Sequence, residues 1–249
     1  MVAPSLLCAL FGLAADPCQV VAPEGGEWIE LLPGKEFTAW RLPHGDWLMA
    51  ASVTMDPKDP KRLAWTKGTR VAVNGSQGRS VDLVSGPQFG DVEAHIEFMV
   101  PKGSNSGVYF MGRYEVQVYD SFGVANDHYP GIECGGIYPR WINNQNVEGH
   151  SPRVNASRAP GEWQTFDVVF RAPQYDAGGK KVRNARFVRV THNGTLIHEN
   201  VEVTGPTRAS LFNDEKPTGP LMLQGDHGPV AYRCVRVRPL APESAIQGK

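Results

Sequence analysis

The chain has 249 residues and a formal net charge of −1, from 25 basic and 26 acidic side chains. A nearly neutral chain lacks the positive field that steers proteins onto nucleic acid or anionic membranes, so we expect no nucleic acid partner and no membrane insertion. The 20 prolines and 27 glycines indicate many turns between short strands, which is typical of an all-β protein.

The first 15 residues, MVAPSLLCALFGLAA, are apolar and end in small side chains. This composition is typical of an export signal, although no Lys or Arg precedes the apolar stretch. We interpret residues 1–15 as a signal peptide, which predicts a periplasmic or extracellular protein. A mis-assigned start or a buried first strand is the alternative, and the segment is too short to span a bilayer.

The chain contains four cysteines: Cys8, Cys18, Cys134 and Cys234. They form no C-x-x-C pair, and no histidine lies at zinc-finger spacing, so nothing supports a structural zinc site. A Cys134–Cys234 disulfide and two unpaired buried thiols both fit the sequence.

The first predicted strands lie between residues 27 and 100. Residues 27–47 are typical of an opening strand and loop, and Asn74-Gly75 predicts a hairpin within residues 65–84. From Val92 to Val100, apolar and polar side chains alternate, which predicts a half-buried strand. Its polar face would carry Glu93, His95 and Glu97.

A second alternation follows a glycine-containing turn and a short apolar strand at Val108–Met111. In residues 114–120 the apolar face would carry Tyr114, Val116 and Val118, and the polar face Glu115, Gln117 and Tyr119. Such a polar row fits either a solvated outer face or the polar floor of a sugar cleft. Asp120 has the opposite parity to Glu115, so the two carboxylates would converge only across a bend or bulge.

The second half of the chain opens with a long segment, residues 121–158, rich in Gly, Asn and aromatic residues. Loops of this length are usually functional. Further strands are predicted at residues 163–171, 219–224 and 230–240, and Asn193-Gly194 predicts a hairpin within residues 185–203. One domain would then span residues 27–240, followed by a frayed tail at residues 241–249.

Several short motifs occur in an order that resembles one protein family. They are Gly90-Asp91-Val92-Glu93, Asn105 to Phe110, Tyr114 to Asp120, Gly136-Ile137-Tyr138, Gly161 to Gln164, Asn193-Gly194 and Leu223 to Gly228. The chain resembles the domain long called DUF1080, now described as a 3-keto-disaccharide hydrolase or 3-keto-glucoside lyase/hydratase. The resemblance covers about residues 27–240. It differs at Gly225, which is inserted into the usual Leu-Gln-Asp-His-Gly motif.

The resemblance implies a fold and a reaction. The fold is an antiparallel jelly-roll β-sandwich of the concanavalin A-like or laminin-G-like type, in agreement with the strand pattern. The reaction is cleavage of a 3-keto-glycoside by elimination and hydration, which is net hydrolysis of the glycosidic bond. A ketone at C3 acidifies the C2 proton, so the bond can break without an oxocarbenium ion.

Elimination needs a base at C2, an acid near the departing oxygen, and a donor or cation for the developing enolate. Glu115 is our candidate base, because a central strand would hold its carboxylate rigidly. His227 is the candidate acid, with Asp226 orienting its imidazole, and Asp120 is a further catalytic candidate. A surface glutamate and a turn histidine without function are the alternatives for Glu115 and His227.

Other residues are candidates for substrate binding. Arg113 could hold the keto oxygen through its fork of donors, and Tyr138 and Trp141 could stack on sugar faces. The remaining candidates are Gln117, Tyr119, Gln224 and His128. A divalent metal held by Glu115, Asp120 or His227 is possible, although no ligand spacing is diagnostic.

Three other functions remain open from the residues. A carbohydrate-binding module would use the same sandwich without an acid–base pair. An ordinary glycosidase would need two carboxylates about 5 to 9.5 Å apart across the cleft. An interaction domain would need neither feature. The catalytic hypothesis therefore requires Glu115 and His227 to border one pocket.

Overall fold

The computed structural model describes residues 27–32, 35–126 and 133–241. The predicted signal peptide, Cys8, Cys18, His128 and residues 242–249 of the predicted tail lie outside the described residues. The strands in chain order are β1 (Ile29–Leu32), β2 (Leu48–Met55), β3 (Leu63–Val73), β4 (Leu83–Phe89), β5 (Val92–Met99), β6 (Asn105–Phe110), β7 (Tyr114–Tyr119), β8 (Arg140–Ile142), β9 (Gln145–Val147), β10 (Gln164–Arg171), β11 (Gln174–Tyr175), β12 (Lys181–Arg183), β13 (Ala185–His192), β14 (Thr195–Val203), β15 (Gly219–Leu223) and β16 (Ala231–Pro239). A short 3-10 turn spans Lys35–Phe37.

Two antiparallel sheets form the sandwich. The larger sheet has the order β14-β13-β10-β5-β16-β3-β2, with β1 also paired to β16, and the smaller sheet has the order β4-β15-β6-β7. Neighbouring strands often come from distant parts of the chain, as β5 and β16 do. The predicted all-β jelly-roll sandwich is confirmed. Within the described part of the chain, the structure contains no helix that could serve as a membrane span.

Aromatic side chains join the two sheets. The Phe110 ring of β6 lies 5.3 Å from Phe170 of β10 and 5.5 Å from Phe187 of β13, measured between centroids. Tyr114 of β7 packs on Phe170 at 5.5 Å. Burying each such ring stabilises the sandwich by about 1.5 to 3 kcal/mol. Because Tyr114, Val116 and Val118 all point into this core, Glu115 and Gln117 must point away from it.

Several predicted strand details need correction. β6 begins at Asn105, three residues before the predicted Val108, because Asn105 and its neighbours also pair with β7. The hairpin predicted at Asn74-Gly75 does not form, since β3 pairs with β2 and β16 whereas β4 pairs with β15. The hairpin at Asn193-Gly194 is confirmed by the pairing of β13 with β14.

The strand β5 is buried on both faces, so its prediction as half-buried was wrong. His95 and Glu97 are nearly inaccessible on its polar face because charged side chains of β10 and β16 cover them. The predicted cysteine alternatives were also wrong. Cys134 is a free buried thiol, whereas Cys234 is disulfide-bonded to a residue other than Cys134.

The long segment predicted between residues 121 and 158 is partly ordered against the small sheet. Its hairpin of β8 and β9 follows an extended stretch that runs along the open edge of β7. Gln117 N–H donates to the Gly136 carbonyl at 2.9 Å, and Tyr138 N–H donates to the Glu115 carbonyl at 3.1 Å. Backbone pairing therefore fixes Tyr138 beside Glu115.

Candidate active site

The outward face of the small sheet carries a cleft of about 220 Å³. It is lined by Asn105, Tyr109, Glu115, Gln117, Tyr138, Arg208, Ala209, Gln224 and His227. Strands β6 and β7 form its floor, because the register places Tyr109 opposite Glu115 and Gly107 opposite Gln117 on the face that points away from the core. The polar row of β7 is therefore the floor of a concave site.

Glu115 is the most unusual side chain of this floor. It is 2% exposed, and its Oε2 atom has no hydrogen-bond partner among the described residues. Burial raises the pKa of Glu115 to about 8; the hydrogen bond with Tyr109 opposes this rise, and the nearby Asp82 carboxylate adds to it. A buried carboxyl oxygen without a partner costs stability, so packing alone does not explain this residue. Such a perturbed acid in a cleft indicates a functional group.

Gly107 makes room for the Glu115 carboxyl. A Cβ atom at position 107 would overlap Glu115 Oε1 and lie 2.9 Å from Cε2 of the Tyr109 ring. A Cβ contact below about 3 Å forces one partner to move, and here both partners are buried. The glycine is therefore required for space.

The loop that carries His227 at the cleft is held by hydrogen bonds to the Asn74 side chain. The buried Asn74 amide donates to the carbonyl oxygens of Gly225 at 3.0 Å and Gly228 at 2.7 Å. Its Oδ1 accepts the N–H of Val230 at 2.8 Å. Asn74 thus holds both ends of the loop and fixes the position of His227.

The side chain of Asp226 orients His227. Their hydrogen bond uses Nδ1 of the imidazole and leaves Nε2 for a ligand.

The inserted Gly225 is held in a tight turn. Its N–H donates to Asp82 Oδ1 at 2.9 Å, and a Cβ at this position would collide with the Val81 carbonyl. The additional residue is therefore accommodated by a defined turn.

Five of the predicted site residues line the cleft together: Glu115, Gln117, Tyr138, Gln224 and His227. Asp226 lies directly behind His227. The sequence reasoning missed Asn105, Tyr109, Arg208 and Asp82. The alternation of β6, read from its true start, would have placed Asn105 and Tyr109 on the same sheet face as Glu115. Arg208 lies in irregular chain between β14 and β15, where no periodic signal marks it.

Arg113 does not line the cleft, which corrects its predicted role at the keto oxygen. Its Nη2 donates to Asp214 Oδ1 at 2.7 Å and its Nη1 to the Met111 carbonyl at 2.9 Å, while the guanidinium packs on Phe212. The residue lies in the turn before β7, beyond the end of the cleft floor. Arg113 is therefore a buried structural residue.

Three other predicted residues also lie outside the cleft lining. Asp120 accepts the backbone N–H groups of Gly103 at 2.8 Å and Phe122 at 3.4 Å, so it caps turns at the end of β7. Tyr119 is exposed at the same strand end. Trp141 is exposed on β8, where its ring contacts the Arg208 guanidinium.

The predicted metal ligands Glu115, Asp120 and His227 do not come together. Among the described residues, the cluster close enough to share a cation is His95, Glu97 and Cys234, on the larger sheet. Cys234 is disulfide-bonded, and the other two side chains pair with Asp167 and Arg233. This cluster is therefore an ion-pair network rather than a metal site.

Comparison with known proteins places the chain among carbohydrate-active proteins with a β-sandwich fold. A family model described as the 3-keto-alpha-glucoside-1,2-lyase-like domain matches residues 27–238, so the chain belongs to this family. No curated protein matches its sequence.

Two solved structures share the fold. A proposed glycosyl hydrolase from Parabacteroides distasonis has a TM-score of 0.59 and 23% identity, covering 93% of this chain and 99% of that one. A second from the same organism has a TM-score of 0.54 and 17% identity, covering 86% of this chain and 100% of that one. At these identities the similarity establishes the fold alone.

Proposed function

We propose that the protein cleaves 3-keto-glycosides by elimination and hydration, with Glu115 as the general base and His227 as the general acid. The observation that carries the proposal is the buried Glu115 carboxyl, whose Oε2 lacks a partner among the described residues and which shares its cleft with His227. Family membership supports the choice of a keto-sugar.

In the elimination, the Glu115 carboxylate takes the C2 proton. The electron pair of the C2–H bond moves into the ketone to give an enolate, which then collapses to form the C1–C2 double bond and expel the glycosidic oxygen. The His227 imidazolium gives its proton to that oxygen, so the leaving group departs as a neutral alcohol. Glu115 is now protonated and His227 is neutral.

Hydration runs the same groups in reverse. Neutral His227 takes a proton from water as the water oxygen bonds to C1, and Glu115 returns its proton to C2. The product is the free 3-keto sugar, and both side chains regain their starting protonation states. The overall reaction consumes one water and needs no further reactant.

The cleft chemistry favours this route over ordinary glycoside hydrolysis. Glu115 is the one carboxylate among the described lining residues, whereas hydrolysis of an unoxidised glycoside commonly uses two. A base with a pKa of about 8 is also stronger than an ordinary carboxylate and still ionises near neutral pH. Both properties suit removal of a carbon-bound proton next to a ketone.

We also propose that the protein acts in the periplasm or outside the cell. The disulfide at Cys234 supports this location, because disulfides persist in oxidising compartments. The export-signal composition of residues 1–15 supports it independently.

The test is turnover of a 3-keto-glucoside compared with the same glucoside carrying a C3 hydroxyl. We expect cleavage of the keto compound alone, and a fall in kcat of about 10²-fold or more in His227→Ala. Cleavage of both compounds at similar rates would favour an ordinary glycosidase. Glycan binding without turnover would favour a carbohydrate-binding module.

A further inference from the structure

We propose that Arg208 is a catalytic residue that binds the C3 oxygen of the keto-sugar and stabilises the enolate, and that Trp141 is its positioning residue. This inference rests on the proposed function. It assigns to Arg208 the binding of the keto oxygen, a role that Arg113 cannot fill because it lies outside the cleft. It is carried by three observations: Arg208 has no acidic partner among the described residues, its backbone is fixed, and it lines the cleft.

Five arginines among the described residues lie over aromatic rings, and four of them also pair with a carboxylate. The four pairs are Arg113 with Asp214, Arg233 with Glu97, Arg236 with Glu30, and Arg238 with Glu93. Arg208 is the exception within the described residues: its guanidinium lies 4.0 Å from the centre of the Trp141 ring and contacts no acid. Its donors therefore remain available to a ligand.

The backbone around Arg208 is held on two sides. Buried Thr207 binds β7, since its N–H donates to the Arg113 carbonyl at 2.8 Å and its hydroxyl accepts the Glu115 N–H at 3.2 Å. The Arg208 N–H donates to the Pro139 carbonyl at 2.9 Å on the other side. The charge is thus presented from a fixed point, with the indole ring limiting the side-chain rotamers.

Arg208 and Glu115 act on the same part of the cleft. Tyr138 lies within electrostatic reach of both: burial and Glu115 raise the pKa of its phenol, and Arg208 lowers it. Arg208 and His227 both line the cleft as well. Arg208, Glu115 and His227 come from different chain segments. This suits a reaction that needs an acid at the C1 oxygen, a base at C2 and a cation at the C3 oxygen.

The chemistry favours a guanidinium at the C3 oxygen. When Glu115 takes the C2 proton, negative charge develops on that oxygen, and N–H donors of a cation stabilise it. Because arginine does not give up its proton, it stabilises the enolate without protonating it. The electron pair stays available to expel the glycosidic oxygen, and the step needs no additional reactant.

The experiment measures steady-state kinetics of Arg208→Ala on a 3-keto-glucoside. We expect kcat to fall by about 10²- to 10³-fold with a smaller change in KM, because the charge on oxygen develops in the transition state. Added guanidinium chloride should restore part of the rate. Arg153→Ala is the matched control, since Arg153 forms an exposed pair with Glu199, and it should keep wild-type rates.

Variants at position 141 test the positioning role. Trp141→Ala should lower kcat by about tenfold and Trp141→Phe should restore most of it, because a second aromatic ring keeps a platform for the cation. An Arg208→Ala rate within about twofold of wild type would overturn the inference while leaving the proposed function intact. Absence of wild-type turnover on the keto-glucoside would overturn both.

Discussion

Two strands of this protein have the same alternating pattern of apolar and polar side chains, but they differ in whether their buried acids are paired with cations. β5 and β7 each place an apolar face in the core and a polar face outside it, and the polar side chains in the middle of both strands are buried. On β5 every acid has a cationic partner, whereas Glu115 on β7 has none among the described residues. The alternating sequence pattern does not distinguish the two faces. The presence or absence of cationic partners for the buried acids distinguishes the structural face of β5 from the candidate active site on β7.

The charged side chains on the polar face of β5 neutralise one another through ion pairs. Glu97 pairs with Arg233, and His95 Nδ1–H donates to Asp167 Oδ1 at 2.6 Å. Burial by itself lowers the pKa of His95, but the hydrogen bonds with Asp167 and Glu97 outweigh it and raise the pKa to about 9. Burial raises the pKa of Glu97, yet its bonds with His95 and Arg233 lower it overall. This face holds charges that stabilise one another.

The β7 face has no such compensation from the described residues. Among these, the Glu115 side chain has the neutral Tyr109 phenol as its one hydrogen-bond partner, so burial dominates and raises the pKa to about 8. Such a group is costly to the fold and useful to a reaction, because it can exchange a proton near neutral pH. The contrast predicts that substituting Glu115 on β7 lowers activity, whereas substituting a paired side chain on β5 lowers stability and leaves activity unchanged.

The largest expected effect comes from exchanging one glutamate on each strand for glutamine. Glu115→Gln should lower kcat/KM on a 3-keto-glucoside by about 10³-fold or more, because the amide cannot take the C2 proton. Glu97→Gln should keep wild-type kinetics, since this residue lies on the other sheet. Equal activity loss in the two variants would break the comparison.

Next in size is the effect of filling the space beside Glu115. Gly107→Ala should lower kcat by about 10- to 100-fold, because the added methyl group displaces the carboxyl from its place. Gly86→Ala is the matched control, since the nearest atom to its new methyl group, the Ala39 carbonyl oxygen, lies 3.5 Å away. A Gly107→Ala enzyme with wild-type kcat would show that the carboxyl position is unimportant.

The pH dependence of kcat/KM should report the protonation of Glu115 once the contribution of His227 is removed. In the wild-type enzyme Glu115 must be deprotonated and His227 protonated, so kcat/KM should pass through a maximum as the pH rises. In His227→Ala the acid is absent, so the remaining rate should rise about tenfold per pH unit below 8 and level off above it. A His227→Ala rate that falls as the pH passes through 8 would instead make Glu115 an acid.

The smallest expected effect is on stability, and its sign differs between the two strands. Folded Glu115 keeps a proton up to about pH 8 that an unfolded glutamate releases near 4.5, so its presence lowers stability as the pH rises between these values. Glu115→Gln should therefore raise the melting temperature more at pH 8 than at pH 5.

His95 stabilises the fold where Glu115 destabilises it, although the pKa values of both groups are raised. Its folded pKa of about 9 exceeds the ordinary 6.5, so its contribution is complete below 6.5 and is lost as the pH rises through 9. His95→Gln should thus destabilise the protein by about 1 to 3 kcal/mol at pH 6, with a smaller loss at pH 9.5. Chemical denaturation measures both variants, and a loss of stability in Glu115→Gln as large as that in His95→Gln would contradict the contrast.

The alternation of apolar side chains was enough to predict the sandwich and the polar floor of β7. It could not identify which charges have partners, because those partners are distant in sequence. Arg113 looked available for substrate, but Asp214 binds it from 101 residues away. Asn74 looked like a local turn signal, but its amide binds a carbonyl 151 residues later. Such contacts depend on the tertiary fold.

The most direct test of the account is cleavage of a 3-keto-glucoside that carries deuterium at C2, compared under single-turnover conditions with the same compound carrying ordinary hydrogen there. Because Glu115 must break the bond between C2 and this hydrogen, the account predicts a several-fold lower rate for the deuterated compound. Equal rates for the two compounds would show that this bond stays intact during cleavage, as in direct hydrolysis, and would contradict the assignment of Glu115 as the base.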